Sequence, residues 1–188
     1  RVHHYRMNNL DGAVESYEKM LEIERGNLAA LESLCLLCLE KRDFEGLRKF
    51  HAALASVETA PDARAAHFFS RAEIALTSGS VKDTASDLRT ALKDAPDDLP
   101  AIRRLERIYA QTNDSAAQIE ALRNEIRLRS DPRMLVLLLI RQGRLWEKAG
   151  NVEEAIACYL KVLEYDAEEL DALEALSRLY RQEERWLE

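Results

Sequence analysis

The amino-acid sequence predicts an all-α protein built from repeated helix pairs, and three observations support this fold class. Ala, Leu, Glu and Arg dominate the 188 residues, whereas only six Gly and four Pro occur, which is typical of a mostly helical chain. Apolar residues also recur at helical spacing along most of the sequence. Finally, the run from Ala155 to Asp166 repeats the pattern of the run from Ala13 to Glu24, 142 residues earlier. Such a repeat predicts stacked helical units in place of one closed core.

The spacing of the apolar segments divides the chain into units. These segments start near Leu31, Phe68, Ile102, Leu139 and Leu173, so the successive offsets are 37, 34, 37 and 34 residues. We therefore expect four full helix pairs in a single array, flanked by a partial unit at each end. The expected bounds are 1–27, 28–64, 65–98, 99–135, 136–169 and 170–188. The first partial unit supplies a trailing helix, and the last supplies a leading helix.

Proline and aspartate mark the joints between units. A proline is expected to end a helix at each joint, beside an aspartate that can cap the next helix. The prolines are Pro61, Pro96 and Pro132, and the aspartates are Asp62, Asp97 and Asp131. The three additional residues of the longer units are expected in these short polar stretches.

A second break separates the two helices of each unit. It falls at Arg42-Asp43, Gly79-Ser80, Asn113-Asp114 and Gly150-Asn151. Gly or Asn can adopt the left-handed conformation that ends a helix, and Ser, Asp or Asn can cap the helix that follows. Asn113-Asp114-Ser115 also matches a glycosylation acceptor, but the turn between helices explains it better.

The unit at residues 136–169 resembles the tetratricopeptide repeat. The family pattern has, in order, a large, a small, an aromatic, a turn, a small, an aromatic and a small residue. The counterparts in this sequence, in the same order, are Leu139, Gly143, Trp146, Gly150, Ala155, Tyr159 and Val162. The resemblance covers nearly the whole chain and implies an α-solenoid, a right-handed superhelix of tandem antiparallel helix pairs. Gly143 and Ala155 would let two helices approach closely, while Trp146 and Tyr159 would fill the space between neighbouring pairs.

Several positions depart from the family pattern. Gln142 and Arg71 stand where the family prefers Leu, and Leu47 replaces a small residue. Cys38 and Ala75 stand where it prefers an aromatic side chain. These departures leave the expected architecture unchanged.

Charge and composition exclude several classes of protein. A net charge of −7 argues against a general nucleic-acid binder, which would need a positive field over much of its surface. The longest apolar run, Met134 to Ile140, is far shorter than the roughly 20 residues that span a bilayer. Three cysteines favour a reducing compartment, so we expect a cytoplasmic protein. The first residue is not Met, and Trp186-Leu187 looks like the start of a further helix, so we expect a fragment of a longer protein.

No motif in the sequence indicates catalysis. Cys35 and Cys38 have the spacing of half a zinc or redox site, but no second pair of ligands follows, and mid-helix cysteines act as small apolar residues. His3-His4, His51 and His67 lack carboxylates at a ligand-forming spacing. We therefore expect no enzyme activity, no cofactor and no metal site.

The charge pattern indicates a binding surface. In tetratricopeptide-like arrays the first helix of each pair lines a concave groove, and this family geometry implies stripes of basic residues in the second half of the chain. The predicted peptide-binding residues are Arg103, Arg104, Arg107, Arg141, Arg144, Lys148, Arg178 and Arg181. In the first half, the corresponding positions are apolar to acidic: Glu32, Leu36, Leu39, Glu40, Phe69, Ser70 and Glu73.

The leading hypothesis is a non-catalytic scaffold that binds an acidic or carboxylate-bearing peptide in this basic groove. In an alternative, the basic residues are an ordinary solvated face, with Glu106, Glu147 and Glu174 pairing locally with the arginines. A second alternative makes the chain the targeting or oligomerisation arm of a larger enzyme. RNA binding is a third, weakened because only Tyr109 and Tyr180 are near the stripe for base stacking. A chaperone-tail adaptor is disfavoured, because the groove positions offer no Asn.

Overall fold

The computed structural model describes residues 10–182, and every regular element in that range is an α-helix, which confirms the all-α repeat solenoid. The helices are α1 (Leu10–Ile23), α2 (Leu28–Lys41), α3 (Phe44–Val57), α4 (Pro61–Thr77), α5 (Val81–Asp94), α6 (Leu99–Gln111), α7 (Ser115–Arg127), α8 (Pro132–Lys148), α9 (Val152–Tyr165) and α10 (Leu170–Gln182). The chain forms two compact units, unit 1 (Arg1–Ala101) and unit 2 (Ile102–Glu188). His3, His4, Trp186 and Leu187 lie outside the described residues.

The turn inside each helix pair contains one residue in the left-handed conformation. These residues are Arg42, Gly79, Asn113 and Gly150, with φ of 54°, 76°, 55° and 78°. After each of them, a backbone N–H bonds to the carbonyl five residues earlier, as in Asn151 N to Trp146 O at 2.9 Å. The positions of all four predicted breaks are therefore confirmed, including the interpretation of Asn113 as a turn residue. The expected side-chain caps form at Asp43 and Asp114 but not at Ser80 and Asn151.

Two of the three prolines at the joints differ from the sequence prediction, whereas Pro96 follows the end of α5 at Asp94, as predicted. Pro61 and Pro132 begin α4 and α8, where a missing N–H costs nothing, and do not end the preceding helices. Both helices have 17 residues, whereas the other described helices have 13 or 14, so the additional residues form an extra first turn. The polar joints themselves are not lengthened.

The predicted caps at these joints are correct in one of three cases. Asp131 caps α8 by accepting a hydrogen bond from Arg133 N at 3.1 Å. Asp62 instead lies within the first turn of α4, and Glu58 accepts the hydrogen bonds of the two N–H groups before that helix. At the third joint, Asp98 and not Asp97 accepts from Ala101 N, at 3.1 Å.

Unit 1 has an apolar core made by the facing stripes of α2, α3 and α4. Leu31, Leu34 and Leu54 are almost fully buried there, and Cys35 and Cys38 pack beside them. This burial removes apolar surface from water and is the main source of stability for such helix pairs.

The two polar departures from the family pattern each have a specific polar partner, although Arg71 Nε and Asp87 Oδ2 are buried without a hydrogen bond. Arg71 pairs with the buried carboxylate of Asp87 at 3.2 Å. Gln142 is buried in unit 2, where its amide donates to Ile119 O at 3.4 Å and its carbonyl accepts from Cys158 Sγ at 3.5 Å. Buried polar groups are tolerated when they are paired in this way.

Unit 2 is organised around the contact between Gly143 and Tyr159. Tyr159 is fully buried, and a Cβ atom at position 143 would stand 2.8 Å from its ring carbon Cζ. Glycine therefore allows α8 and α9 to approach as closely as the sequence predicted. Ala155 is also completely buried, and Trp146 packs half-buried against the same cluster.

Substitutions at the left-handed positions test the role of the turns. Gly150→Ala should lower the free energy of unfolding by about 1 kcal/mol, because a Cβ disfavours positive φ even though no atom lies within 4 Å of the site. Arg42→Gly should raise it by up to about 1 kcal/mol for the same reason. Urea unfolding followed by circular dichroism measures both. Equal effects of the same sign would contradict the conformational explanation.

The Gly143 contact is tested by Gly143→Ala. Alanine is the better helix former, yet we expect a loss of about 1–3 kcal/mol in the free energy of unfolding, because its methyl group overlaps the Tyr159 ring. In the background of Tyr159→Leu the same substitution should cost much less. A Gly143→Ala variant as stable as the wild type would show that the helices can separate without penalty.

Candidate functional site

The predicted binding residues lie on α6, α8 and α10 of unit 2. We call the set the arginine surface: Arg103, Arg104, Arg107, Arg141, Arg144, Lys148, Arg178 and Arg181. These three helices are the leading helices of successive pairs, and ion pairs join α6 to α8 and α8 to α10. Neighbouring stripes are thus brought together in space, as stacking of the repeats implies.

Arg141 is held by a buried carboxylate on the preceding leading helix. Its guanidinium bonds to Glu106 Oε1, which also accepts a hydrogen bond from Gln118 Nε2 at 2.6 Å. The Glu106 side chain is 7% exposed and the Arg141 side chain 50%. One end of the pair is therefore buried in the helix packing and the other faces solvent.

Arg178 is held by the same kind of arrangement one repeat later. Glu147 accepts a hydrogen bond from Tyr159 Oη at 2.6 Å through one oxygen, and pairs with Arg178 at 2.8 Å through the other. Burial, together with this hydrogen bond to Glu147, raises the pKa of Tyr159 well above its usual range. The phenol thus stays protonated and keeps donating to Glu147.

Arg103 uses a buried carboxylate within its own helix pair. Glu125 of α7 accepts from Arg103 Nε at 2.7 Å and from Arg129 Nη2 at 3.0 Å. The Glu125 side chain is 5% exposed, so this carboxylate lies between two guanidinium groups inside the unit. Two cations around one buried anion leave this end of the surface with excess positive charge.

Four of the remaining members are exposed, whereas Arg104 is half-buried; the exposed ones are Arg107, Arg144, Lys148 and Arg181. Arg144 pairs with Asp171 of α10 at 2.7 Å, and both side chains are largely in solvent. Arg181 bonds to Ser177 Oγ of its own helix at 2.6 Å. Within the described part of the chain, the exposed side chains of Arg107 and Lys148 form neither an ion pair nor a hydrogen bond.

Two of the four carboxylates named above as partners of these cations were expected from the sequence. Glu106 and Glu147 were considered as local partners on the same helix, whereas the structure pairs them across helices. Glu125 and Asp171 were missed. A glutamate inside the apolar stripe of α7, flanked by Leu122 and Ile126, was the available signal that Glu125 is buried.

Unit 1 contains a cleft of about 1010 Å³. Most of the positions that the sequence assigned to an apolar to acidic groove line it: Glu32, Leu36, Leu39, Phe69, Ser70 and Glu73. Side chains of α1, α2, α3 and α4 together form its walls. The charged side chains that line this cleft are acidic, opposite in sign to those of the arginine surface.

Two histidines face each other in the wall of the cleft. His51 Nδ1 and His67 Nδ1 are 3.3 Å apart, so one ring donates and the other accepts. Burial lowers the pKa of His51, and the nearby positive charges of His67 and Arg71 lower it further. His51 therefore favours its neutral state.

The cysteines lie in the interior. Cys35, Cys38 and Cys158 are free and buried, and burial raises the pKa of Cys35 and Cys158 to about 11. They are thiols at neutral pH, which is the unreactive form. Residues 10–182 contain no cluster of three metal-ligating side chains, and no helix there is long and apolar enough to cross a membrane.

Comparisons with known proteins agree with the helix geometry. A sequence model of the tetratricopeptide repeat matches residues 138–169. No curated protein sequence gave a significant match. Among solved structures, MamA is 17% identical, with a TM-score of 0.51 over 88% of this chain and 94% of that one.

Two further structures are similar in fold. YrrB, described as a TPR protein with an unusual peptide-binding site, is 14% identical, with a TM-score of 0.52 over 93% of this chain and 87% of that one. PilF of Pseudomonas aeruginosa is 14% identical, with a TM-score of 0.50 over 87% of this chain and 72% of that one. At these identities the likeness concerns the fold.

The histidine pair predicts a pH dependence of stability. Because the pKa of His51 is lower in the folded chain than its ordinary 6.5, the unfolded chain binds the proton more tightly. The contribution of His51 therefore becomes unfavourable as pH falls below about 6.5. Between pH 7.5 and 5.5, His51→Gln should lose less unfolding free energy than the wild type in urea titrations. Equal losses would mean that protonation of His51 is not coupled to folding.

Proposed function

We propose that this tetratricopeptide repeat protein is a non-catalytic scaffold that binds a carboxylate-bearing segment of a partner protein on its arginine surface. One observation carries the proposal: buried carboxylates hold guanidinium groups that remain half exposed, as in the pair of Glu106 with Arg141. A cation positioned from behind presents its free N–H donors to solvent in a fixed orientation. Such preorganisation lowers the entropic cost of binding.

The free donors suit carboxylate ligands. An arginine side chain has five N–H donors, and Arg141 and Arg178 each use one nitrogen in the ion pair that positions it. The remaining edge can bind a carboxylate through two parallel hydrogen bonds. Arg107 and Lys148, which have no side-chain partner among the described residues, add charge without any internal pair to break.

Competition from internal carboxylates does not prevent this binding. Glu106 and Glu125 contact their arginines from the buried side, so a ligand approaching from solvent meets the opposite edge. The pair of Arg144 with Asp171 is exposed on both sides, and such a pair contributes only about 0–1 kcal/mol. A ligand carboxylate can displace Asp171 at little cost.

The fold is the reason for proposing a peptide segment as the ligand of the arginine surface. YrrB, which shares the fold, is described as having a peptide-binding site. A surface that extends over three consecutive leading helices suits an extended chain with several carboxylates better than a small anion.

Charge reversal on the arginine surface tests the proposal. We expect the double variant Arg107→Glu, Arg144→Glu to bind a fluorescein-labelled Asp- and Glu-rich peptide at least tenfold more weakly, because two attractive contacts become repulsive. Raising salt from 50 to 500 mM should also weaken binding to the wild type. Fluorescence anisotropy measures both effects. These positions are exposed, so the fold should survive, as circular dichroism can verify.

A matched control is available on α7. Arg123→Glu reverses a similarly exposed charge whose partner is Glu120 of the same helix, away from the arginine surface, and it should leave affinity nearly unchanged. If the double variant and the control bind the acidic peptide as tightly as the wild type, the proposed function is wrong.

A further inference from the structure

The cleft of unit 1 exposes large apolar side chains that a folded protein usually buries. Met20, Leu36 and Leu39 line it, and they are 41%, 52% and 57% exposed. Phe69 adds an aromatic side chain to the same wall. Apolar side chains clustered around a concavity mark a binding site more reliably than scattered ones do.

The charges at the cleft are acidic. Glu32 of α2 and Glu73 of α4 line it, and no Lys or Arg is among its described lining residues. The hydroxyl groups of Ser33 and Ser70, which also line it, donate to carbonyls of their own helices. Glu32 is exposed, so its carboxylate sets the sign of the charge that a ligand would meet there.

We propose that this cleft binds an apolar segment of a partner protein that carries a lysine or arginine beside its apolar side chains. Apolar groups would cover Leu36, Leu39 and Phe69, and the cation would approach Glu32. Acidic peptides and anionic lipid headgroups would meet repulsion from the Glu32 carboxylate. A volume of about 1010 Å³ accommodates several side chains, which suits a peptide segment.

This site is independent of the arginine surface. Its lining residues belong to unit 1, and those of the arginine surface belong to unit 2. The two sites also select ligands of opposite charge. Variants that abolish acidic peptide binding in unit 2 should therefore leave binding at the cleft intact, so that the two proposals can fail separately.

The test uses two designed amphipathic peptides and the 188-residue chain. Both carry leucines on one face, and the other face carries lysines in the first peptide and glutamates in the second. In fluorescence anisotropy at 100 mM salt, we expect the lysine peptide to bind at least tenfold more tightly. Leu36→Ser with Leu39→Ser should weaken that binding by about tenfold, because apolar contact area is lost.

Charge reversal at Glu32 is the second arm. Glu32→Lys should weaken the lysine peptide several-fold and tighten the glutamate peptide. Two controls lie outside the cleft. Glu22→Lys makes the same charge change at an exposed position of α1, and Leu137→Ser removes an exposed leucine of unit 2. Neither control should change the affinity for either peptide. Equal binding of the two peptides, or insensitivity to both the leucine and the Glu32 variants, would overturn the proposal.

Discussion

A single left-handed residue in each helix pair is the constraint on which the architecture depends. It lies in a turn of only two or three residues that reverses the chain, and the hydrogen bonds around it fix where the second helix begins. Once that start is fixed, the apolar stripe of the second helix can face only the apolar stripe of the first. The chain accepts a strained conformation at Arg42 and Asn113 to maintain this geometry, where Gly79 and Gly150 adopt it freely. The pairing of the two helices thus follows from the backbone conformation of one turn residue.

In unit 2, a series of direct contacts connects the buried interior to the charged surface. Gly143 allows the Tyr159 ring to lie between α8 and α9, the phenol hydroxyl donates to Glu147, and Glu147 pairs with Arg178. The position of a solvent-facing guanidinium is therefore determined by a glycine that never touches solvent or ligand. A displaced ring would move the carboxylate, and the arginine would lose its orientation before the fold was lost.

The parts of the fold that depend on local chemistry could be predicted from the sequence. The turns at Gly79 and Gly150 follow from the conformational freedom of glycine, and the unit lengths follow from apolar spacing. Pro61 and Pro132 were assigned to helix ends, since proline follows a helix as readily as it begins one and only the contacts of α4 and α8 decide between the two. The partners of Arg71 and Arg141 lie 16 and 35 residues away, on other helices, and spacing along one helix carries no information about them.

One position of the repeat carries different side chains in different units, while the helix packing around it stays the same. The unit offsets align Leu36, Glu73, Arg107, Arg144 and Arg178, all on leading helices. The first two line the cleft of unit 1, and the other three belong to the arginine surface of unit 2. Because this position contributes little to the core, leucine, glutamate and arginine are all compatible with the same helix pairing. The turn and core positions determine the fold, whereas exposed positions such as this one carry the chemical differences on which the two proposed binding sites rest.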